Sequence, residues 1–235
     1  LVTIYRKFSG AVSGIFLPRA TEMSITDSAP EASVRLMTRV GIMQYSILSL
    51  ILAGFALVGK EFLFVWLGEG YDEVYIIFLI LCTALLVPNC QSIGINILEA
   101  RNRHRFRAVM MCALALANLV TTWFAVSRYG MVGAAACTAA AVVLGQAVLL
   151  NGYYWKALHL DIRKFFMDTF IKLLPATAAG SLAAWIALRN ITVQGTWASL
   201  ALKVVIAGFT YTAFFLLLGK KHIARVYFAK PEGTQ

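Results

Sequence analysis

The sequence predicts an all-α fold: a polytopic transmembrane helix bundle with six full spans and one partial N-terminal span. Of the 235 residues, 60% are hydrophobic and only 14% are charged. A soluble domain carries about 25% charged residues, so this chain has too few polar residues to coat its own apolar surface. The charges are also clustered. Residues 101–107 contain four arginines and lie between two long apolar segments, so they form a short loop outside the hydrocarbon layer.

The apolar segments give the number of spans. A spanning helix needs about 20 apolar residues, which Leu1–Leu17 nearly reaches. The six full segments are Val40–Gly59, Tyr75–Leu98, Ala108–Val126, Met131–Leu150, Phe170–Leu188 and Trp197–Leu218. They lack the strict alternation of barrel strands and are too long for them, which leaves helices as the way to pair every backbone polar group in lipid. We therefore treat 1–235 as a single transmembrane domain.

The connections between these segments predict the orientation. Fourteen Lys and Arg residues lie in the connections 19–39, 99–107 and 151–169 and in the tail after Leu218. The connections on the opposite side hold three, namely Lys60, Arg128 and Arg189. Because short loops rich in Lys and Arg stay in the cytoplasm, this asymmetry predicts a cytoplasmic C-terminus.

Composition and motifs exclude several functions. The net charge of +10 would suit nucleic-acid binding in a soluble protein, but here the basic residues follow the membrane topology, so we expect no nucleic-acid partner. The sequence has no phosphate-binding loop, no zinc-binding histidine pair and no nucleophile elbow, so we expect no enzyme and no cofactor. The four cysteines lie inside apolar segments and form no Cys-x-x-Cys pair, so we also expect no metal site.

Arg6 and Lys7 are the first candidate substrate-cavity residues. Arg6 precedes Pro18 by 12 residues. This separation corresponds to about 18 Å of helix and places Arg6 near the middle of a ~30 Å hydrocarbon layer. Helical geometry predicts one face carrying Thr3, Arg6, Gly10 and Ser13. If residues 1–17 cross the membrane, a cation inside the bundle indicates a functional site. The alternative is that residues 1–17 lie flat in the membrane interface as an amphipathic segment.

Amide side chains supply the other candidates. Pro88 interrupts the second full segment and predicts a kink, which we interpret as a hinge. The amides of Asn89, Gln91 and Asn96 follow it and must face other helices or a wet cavity, because burial without a partner is costly. Asn118 in the third full segment is a further cavity candidate, with interhelical hydrogen bonding as the alternative.

Five short motifs, in this order and spacing, resemble one family. Phe-Leu-Pro-Arg-Ala at 16–20 is followed by Gly-Lys-Glu-Phe-Leu-Phe-Val-Trp-Leu-Gly at 59–68. Ile-Leu-Glu-Ala and a basic stretch follow at 97–103, Asn-Leu at 118–119, and Tyr-Gly-Met-Val-Gly-Ala-Ala at 129–135. The chain resembles the polysaccharide flippases, the O-antigen and repeat-unit exporters of the multidrug/oligosaccharidyl-lipid/polysaccharide exporter superfamily. The resemblance extends from about Phe16 to Leu160.

The resemblance implies two helical bundles around a cationic cavity in the bacterial cytoplasmic (inner) membrane. The implied cargo is an undecaprenyl-pyrophosphate-linked oligosaccharide, flipped for polysaccharide biosynthesis such as that of lipopolysaccharide, with ion coupling and without ATP. Family members have about twice as many helices, so the chain is expected to be the C-terminal half of a longer flippase. The expected partners are the lipid-linked oligosaccharide, membrane lipids, an N-terminal bundle and the polysaccharide polymerase machinery.

Three alternatives stay open at this point. A multidrug and toxin extrusion exporter of the same superfamily would favour carboxylates within the membrane, and none lies deep in the predicted spans. A membrane glycosyltransferase or polymerase would need a large outer loop, whereas the longest one here has about 15 residues. The third alternative is a helical bundle that does not transport but scaffolds a polysaccharide-assembly machine.

Overall fold

The computed structural model of the chain describes residues 1–25, 30–100, 105–189, 191 and 197–228. The predicted basic residues Arg101, Arg103 and Lys230 lie outside these ranges. The structure is all-helical: of the described residues, 94% lie in helices and none in a strand. The all-α prediction is therefore confirmed.

The helices account for nearly all of the described chain. In chain order they are α1 (Val2–Ile25), α2 (Pro30–Leu67), α3 (Asp72–Cys90), α4 (Ser92–Ala100), α5 (Arg105–Val142), α6 (Leu150–Leu158), α7 (Ile162–Phe166), α8 (Leu174–Arg189) and α9 (Trp197–Phe228). Two π-helical segments, Val143–Leu149 and Met167–Ile171, join α5 to α6 and follow α7.

Five helical stretches within the described ranges are long and apolar enough to cross a membrane. They are Pro30–Leu67, Asp72–Cys90, Arg105–Leu158, Ile162–Arg189 and Trp197–Tyr227. These stretches support a membrane protein. The count of six full spans is not confirmed, because the predicted third and fourth spans lie in one continuous helical stretch, Arg105–Leu158.

That stretch folds back on itself at Gly130, which has φ 59° and ψ −148° inside α5. Asn118 Nδ2 lies 3.4 Å from Thr138 Oγ1. Twenty residues of straight helix would separate these two residues by about 30 Å, so α5 is a hairpin with two arms. The backbone of Gly145 also lies against Leu114, where an added Cβ would clash.

Several predicted boundaries are wrong because helices continue past the apolar residues. Helix α2 runs to Leu67, eight residues beyond the predicted end at Gly59, and the predicted loop 151–169 is helical as far as Leu158. Helix α1 likewise passes through Pro18, where the sequence predicted an end. Hydropathy reports only the part of a helix that matches lipid, whereas charged residues such as Lys and Glu are good helix formers and extend it.

Helix α2 is the centre of the bundle. It packs against α1, α3, α4, α8 and α9. Its side chains Met37, Val40 and Leu48 have no exposed surface. Helices α8 and α9 pack closely on each other, and Gly180 permits this because a Cβ there would lie 3.0 Å from the carbonyl oxygen of Tyr211. The bundle thus positions α1, α3–α4 and α9 around one buried helix.

Candidate functional site

The candidate site lies where the predicted second span breaks. Pro88 is in the last turn of α3, the helix ends at Cys90, and Gln91 adopts φ −102° and ψ 10° before α4 begins at Ser92. The backbone N–H of Gln91 donates to the carbonyl oxygen of Pro88 over 3.2 Å. Proline lacks a backbone N–H and its ring crowds the preceding turn, so it weakens the helix on the N-terminal side of Pro88. The break lies three residues after Pro88, at Gln91.

A polar cluster of four side chains, Ser9, Ser13, Gln44 and Ser92, lies beside this break. The Gln44 amide nitrogen is 2.8 Å from Ser13 Oγ, 2.7 Å from Ser92 Oγ and 3.1 Å from Ser9 Oγ. Ser9 Oγ donates to the backbone carbonyl of Asn89 over 2.8 Å. The serine–glutamine cluster therefore joins α1 and α2 to both sides of the helix break.

Sequence reasoning missed this cluster. Gln44 was a visible signal, because it is an amide inside an otherwise apolar segment. Ser9 and Ser13 are four residues apart and therefore share one face of α1. Both are buried, whereas the predicted companions of Ser13 on the cationic face, Thr3 and Gly10, are exposed.

The candidate amides occupy different surroundings. Gln91 is buried and its Nε2 donates to Asn151 Oδ1 over 2.7 Å, and Asn151 in turn donates to the carbonyl of Ala147 over 2.8 Å. Asn89 is half-buried beside the serine–glutamine cluster, and Asn96 is half-buried on α4. Asn118 donates to Thr138 and accepts from Thr122, so its hydrogen bonds lie within the α5 hairpin.

Three buried polar atoms beside the break lack a hydrogen-bond partner among the described residues. They are Gln44 Oε1, Asn89 Nδ2 and Gln91 Oε1. Buried polar groups are normally paired, so an unpaired set marks a place where water, a ligand or a second conformation supplies the partner.

Arg6 and Lys7 lie on the side of α1 that faces away from this chain. Both are exposed, whereas Tyr5 and Ser9 on the same helix are buried against its neighbours. Among the described residues, no hydrogen bond or ion pair joins either cation to the polar side chains at the helix break. Ser13, which contacts Gln44 and Ser92, nevertheless lies seven residues after Arg6 and nearly on the same face of α1. Helix α1 packs along α2, α3 and α4, so it is a member of the bundle.

An apolar groove of about 390 Å³ lies between α1, α2, α3 and α9. Tyr5 and Phe8 line it from α1, Phe62 from α2, and Val204 and Ala207 from α9. Its lining suits a hydrocarbon chain rather than a sugar or a phosphate.

An ion pair joins α2 and α9 at the rim of this groove. Lys203 Nζ lies 2.8 Å from Glu61 Oε2, and the neighbouring residues Phe62 and Val204 line the groove. With the first full segment predicted to end at Gly59, Glu61 fell in the connection that follows. That boundary is wrong because α2 continues through Glu61 and brings it to Lys203.

Within the described ranges, no group of three or more His, Cys, Asp or Glu side chains is placed to hold a metal ion. Comparison of the chain with family models, curated proteins and solved structures finds no match.

Proposed function

We propose that this chain is the C-terminal bundle of a lipid-linked oligosaccharide flippase. It would move an undecaprenyl-pyrophosphate-linked glycan across the bacterial cytoplasmic membrane for polysaccharide biosynthesis. The observation that carries the proposal is the position of Arg6 and Lys7, which are exposed on α1 beside the apolar layer of the bundle.

Their depth follows from the contacts of α1. Ser9 hydrogen-bonds to Gln44, which is four residues inside the apolar segment that starts at Val40. Helices α1 and α2 run antiparallel, because Leu1, Ile4 and Phe8 lie beside the far half of α2, residues 50–62. Arg6 is nearly one turn beyond Ser9, which places it about 10 Å inside the apolar layer.

A cation at this depth needs a polar surrounding. A lipid-facing arginine costs about 2.5–3.5 kcal/mol at the centre of a membrane helix and less toward its ends. Arg6 and Lys7 lie between these limits, so they are expected to face a water-filled cavity or a second protein body. In the proposed flippase that body is the N-terminal bundle. The cavity between the two bundles attracts the pyrophosphate, while the apolar groove beside α1 takes part of the polyprenyl chain.

The topology of the proposal uses six full crossings together with α1. The hairpin at Gly130 lets the stretch Arg105–Leu158 cross twice, which turns five apolar stretches into six crossings. The positively charged ends then lie in the cytoplasm, as does the C-terminus. The break after Pro88 gives α3–α4 a point of bending between inward-open and outward-open states, as broken helices do in transporters.

The test replaces both cations in the full-length protein. Arg6→Ala with Lys7→Ala should reduce glycan export by more than about tenfold at unchanged membrane abundance, because removing charge-assisted contacts to a phosphate costs at least 1.4 kcal/mol. Arg6→Lys should retain most activity. The matched control replaces two exposed cations of the proposed cytoplasmic side, Lys156→Ala with Lys220→Ala, and should export normally. Normal export in the first double mutant would reject the cationic cavity.

A multidrug exporter is the second candidate, and one observation favours it. Glu61 lies on membrane helix α2 with its side chain 21% exposed, and such exporters use intramembrane carboxylates for ion coupling. This candidate would be supported if Glu61→Gln abolishes drug resistance and the Arg6→Ala, Lys7→Ala double mutant retains it. Loss of glycan export without any change in drug resistance would support the flippase.

A further inference from the structure

A second cavity, of about 700 Å³, lies between the start of α2, the α6–α7 connection, the segment after α7 and the end of α9. Four cations line it: Arg35 from α2, Lys164 from α7, Lys172 from the turn before α8, and Arg225 from α9. We infer that this cavity binds the phosphate-bearing headgroup of an anionic membrane lipid. The inference depends on the chain lying in a membrane and not on the proposed transport.

Charge is the first argument. Three carboxylates also line the cavity, Glu31, Asp161 and Asp168, so the four cations outnumber them by one. Asp168 forms an ion pair with Lys172, and Asp161 accepts a hydrogen bond from the backbone N–H of Lys164 over 2.9 Å. Of the four cations, only Lys172 forms an ion pair with another described residue. Arg35, Lys164 and Arg225 can therefore converge on a bound anion, and arginine matches the oxygen geometry of a phosphate group.

Depth is the second argument and selects a lipid over a soluble anion. Arg35 precedes the apolar segment of α2 by five residues, about 8 Å, and His222 follows the apolar segment of α9 by four residues, about 6 Å. The headgroup layer is about 5–8 Å thick on each side of the hydrocarbon. Both residues line the cavity, so its charged groups lie at the level of lipid phosphates.

Rigidity is the third argument. Arg39 donates to the carbonyl oxygens of Val226 and Tyr227 over 3.3 and 3.2 Å, and Tyr227 Oη donates back to the carbonyl of Arg39 over 2.8 Å. His222 Nε2 lies 2.8 Å from the backbone carbonyl oxygen of Asp168. These contacts fix the end of α9 to α2 and to the segment after α7, so the cavity exists before a ligand arrives. Basic pockets between membrane helices on the cytoplasmic side are suited to anionic headgroups.

The experiment titrates the full-length protein in detergent with phosphatidylglycerol or phosphatidylcholine of identical acyl chains and counts bound lipids by native mass spectrometry. Phosphatidylglycerol should bind preferentially. Lys164→Gln should lower that preference about fivefold, and Arg35→Gln with Lys164→Gln and Arg225→Gln should lower it more than about 20-fold. The control removes three exposed cations that do not line the cavity, Lys156→Gln, Lys220→Gln and Lys221→Gln.

The control should keep the preference of the unchanged protein. Equal losses in the two triple variants would show that surface charge alone attracts the lipid and would overturn the site. If the triple variant of the lining residues does not fold, the single variant Lys164→Gln decides, because Lys164 is exposed and its replacement should leave the fold intact. A Lys164→Gln protein that prefers phosphatidylglycerol as strongly as the unchanged protein would overturn the site. Inorganic pyrophosphate is added in a separate arm. Its binding without any preference for phosphatidylglycerol would assign the cavity to a soluble anion and reject the lipid.

Discussion

Lys203 on α9 donates hydrogen bonds to both carboxylate oxygens of Glu61 on α2, over 2.9 and 2.8 Å. Lys203 is 8% exposed, so the pair is largely removed from solvent. Either charge alone would be costly among apolar helices, and the ion pair between Lys203 and Glu61 offsets that cost. The pair also fixes the C-terminal part of α2 to the N-terminal part of α9 beside the apolar groove.

Breaking this pair should destabilise the bundle. Lys203→Met leaves Glu61 without its cation, and we expect the free energy of unfolding to fall by about 3 kcal/mol, because an unpaired charge in a buried site is costly. Thermal unfolding in detergent measures the change. The exposed Lys156→Met serves as the matched control and should change stability by less than about 0.5 kcal/mol. Equal stability of the two variants would show that the pair contributes nothing.

The hydrogen bond between Gln91 and Asn151 should couple the helix break to α6. Gln91→Ala and Asn151→Ala are each expected to lower stability by about 1 kcal/mol, and the double mutant should lose less than the sum by about 0.6–1.7 kcal/mol. A double-mutant cycle by equilibrium unfolding measures this coupling. Additive losses would show that the two amides, 2.7 Å apart, do not stabilise each other.

Gly130 should be needed for the α5 hairpin. Its φ of 59° and ψ of −148° lie in a region that is almost restricted to glycine, and nothing lies within 4 Å of an added Cβ. Gly130→Ala therefore introduces backbone strain without a clash and should cost about 1–3 kcal/mol. Gly152→Ala, also in open space but in regular helix, is the control and should be neutral or stabilising by up to about 1 kcal/mol. Unchanged stability of Gly130→Ala would contradict the hairpin geometry.

Pro88 should matter for transport more than for folding. Pro88→Ala restores a backbone N–H near the helix break and should stiffen α3–α4, which we expect to reduce glycan export severalfold at normal abundance. Pro175→Ala is the matched control, because Pro175 lies in the first turn of α8, where proline is tolerated. Equal glycan export by the two variants would contradict a role of Pro88 as a hinge in transport.

The topology predicts opposite compartments for the two ends of the bundle. In a variant without the four native cysteines, a single cysteine at the exposed position Asp72 should react with a membrane-impermeant thiol reagent in intact spheroplasts. A cysteine at the exposed position Lys220 should react only after permeabilisation. Labelling of both positions from the same side would invalidate the proposed orientation.

The sequence predicted the helical class and much of the apolar part of each helix. Val40–Gly59 lies within α2 and Trp197–Leu218 lies within α9. These predictions succeeded because a backbone in lipid must satisfy its own polar groups, and a helix does so within one segment. The same reasoning could not find helix ends such as Leu67 and Leu158, since residues outside the hydrocarbon carry no hydropathy signal.

The candidate site was only partly visible in the sequence. Pro88 indicated where the second span would deviate, because its effect on backbone hydrogen bonding is local. Gln44 and Ser9 are 35 residues apart, and nothing in the sequence said that they meet. Only the packing of α1 on α2 brings them together, and the same packing turns Arg6 and Lys7 away from the core of this chain.

What the amino-acid sequence determined by itself is a chain rich in apolar helices with charges at their ends, because composition and residue periodicity act locally. The tertiary structure alone decided the partners: Lys203 with Glu61, Gln91 with Asn151, and the cations around the cavity at the ends of α2 and α9. Hydrogen bonds and ion pairs depend on distances of about 3 Å between atoms that are far apart in sequence, and only helix packing sets such distances.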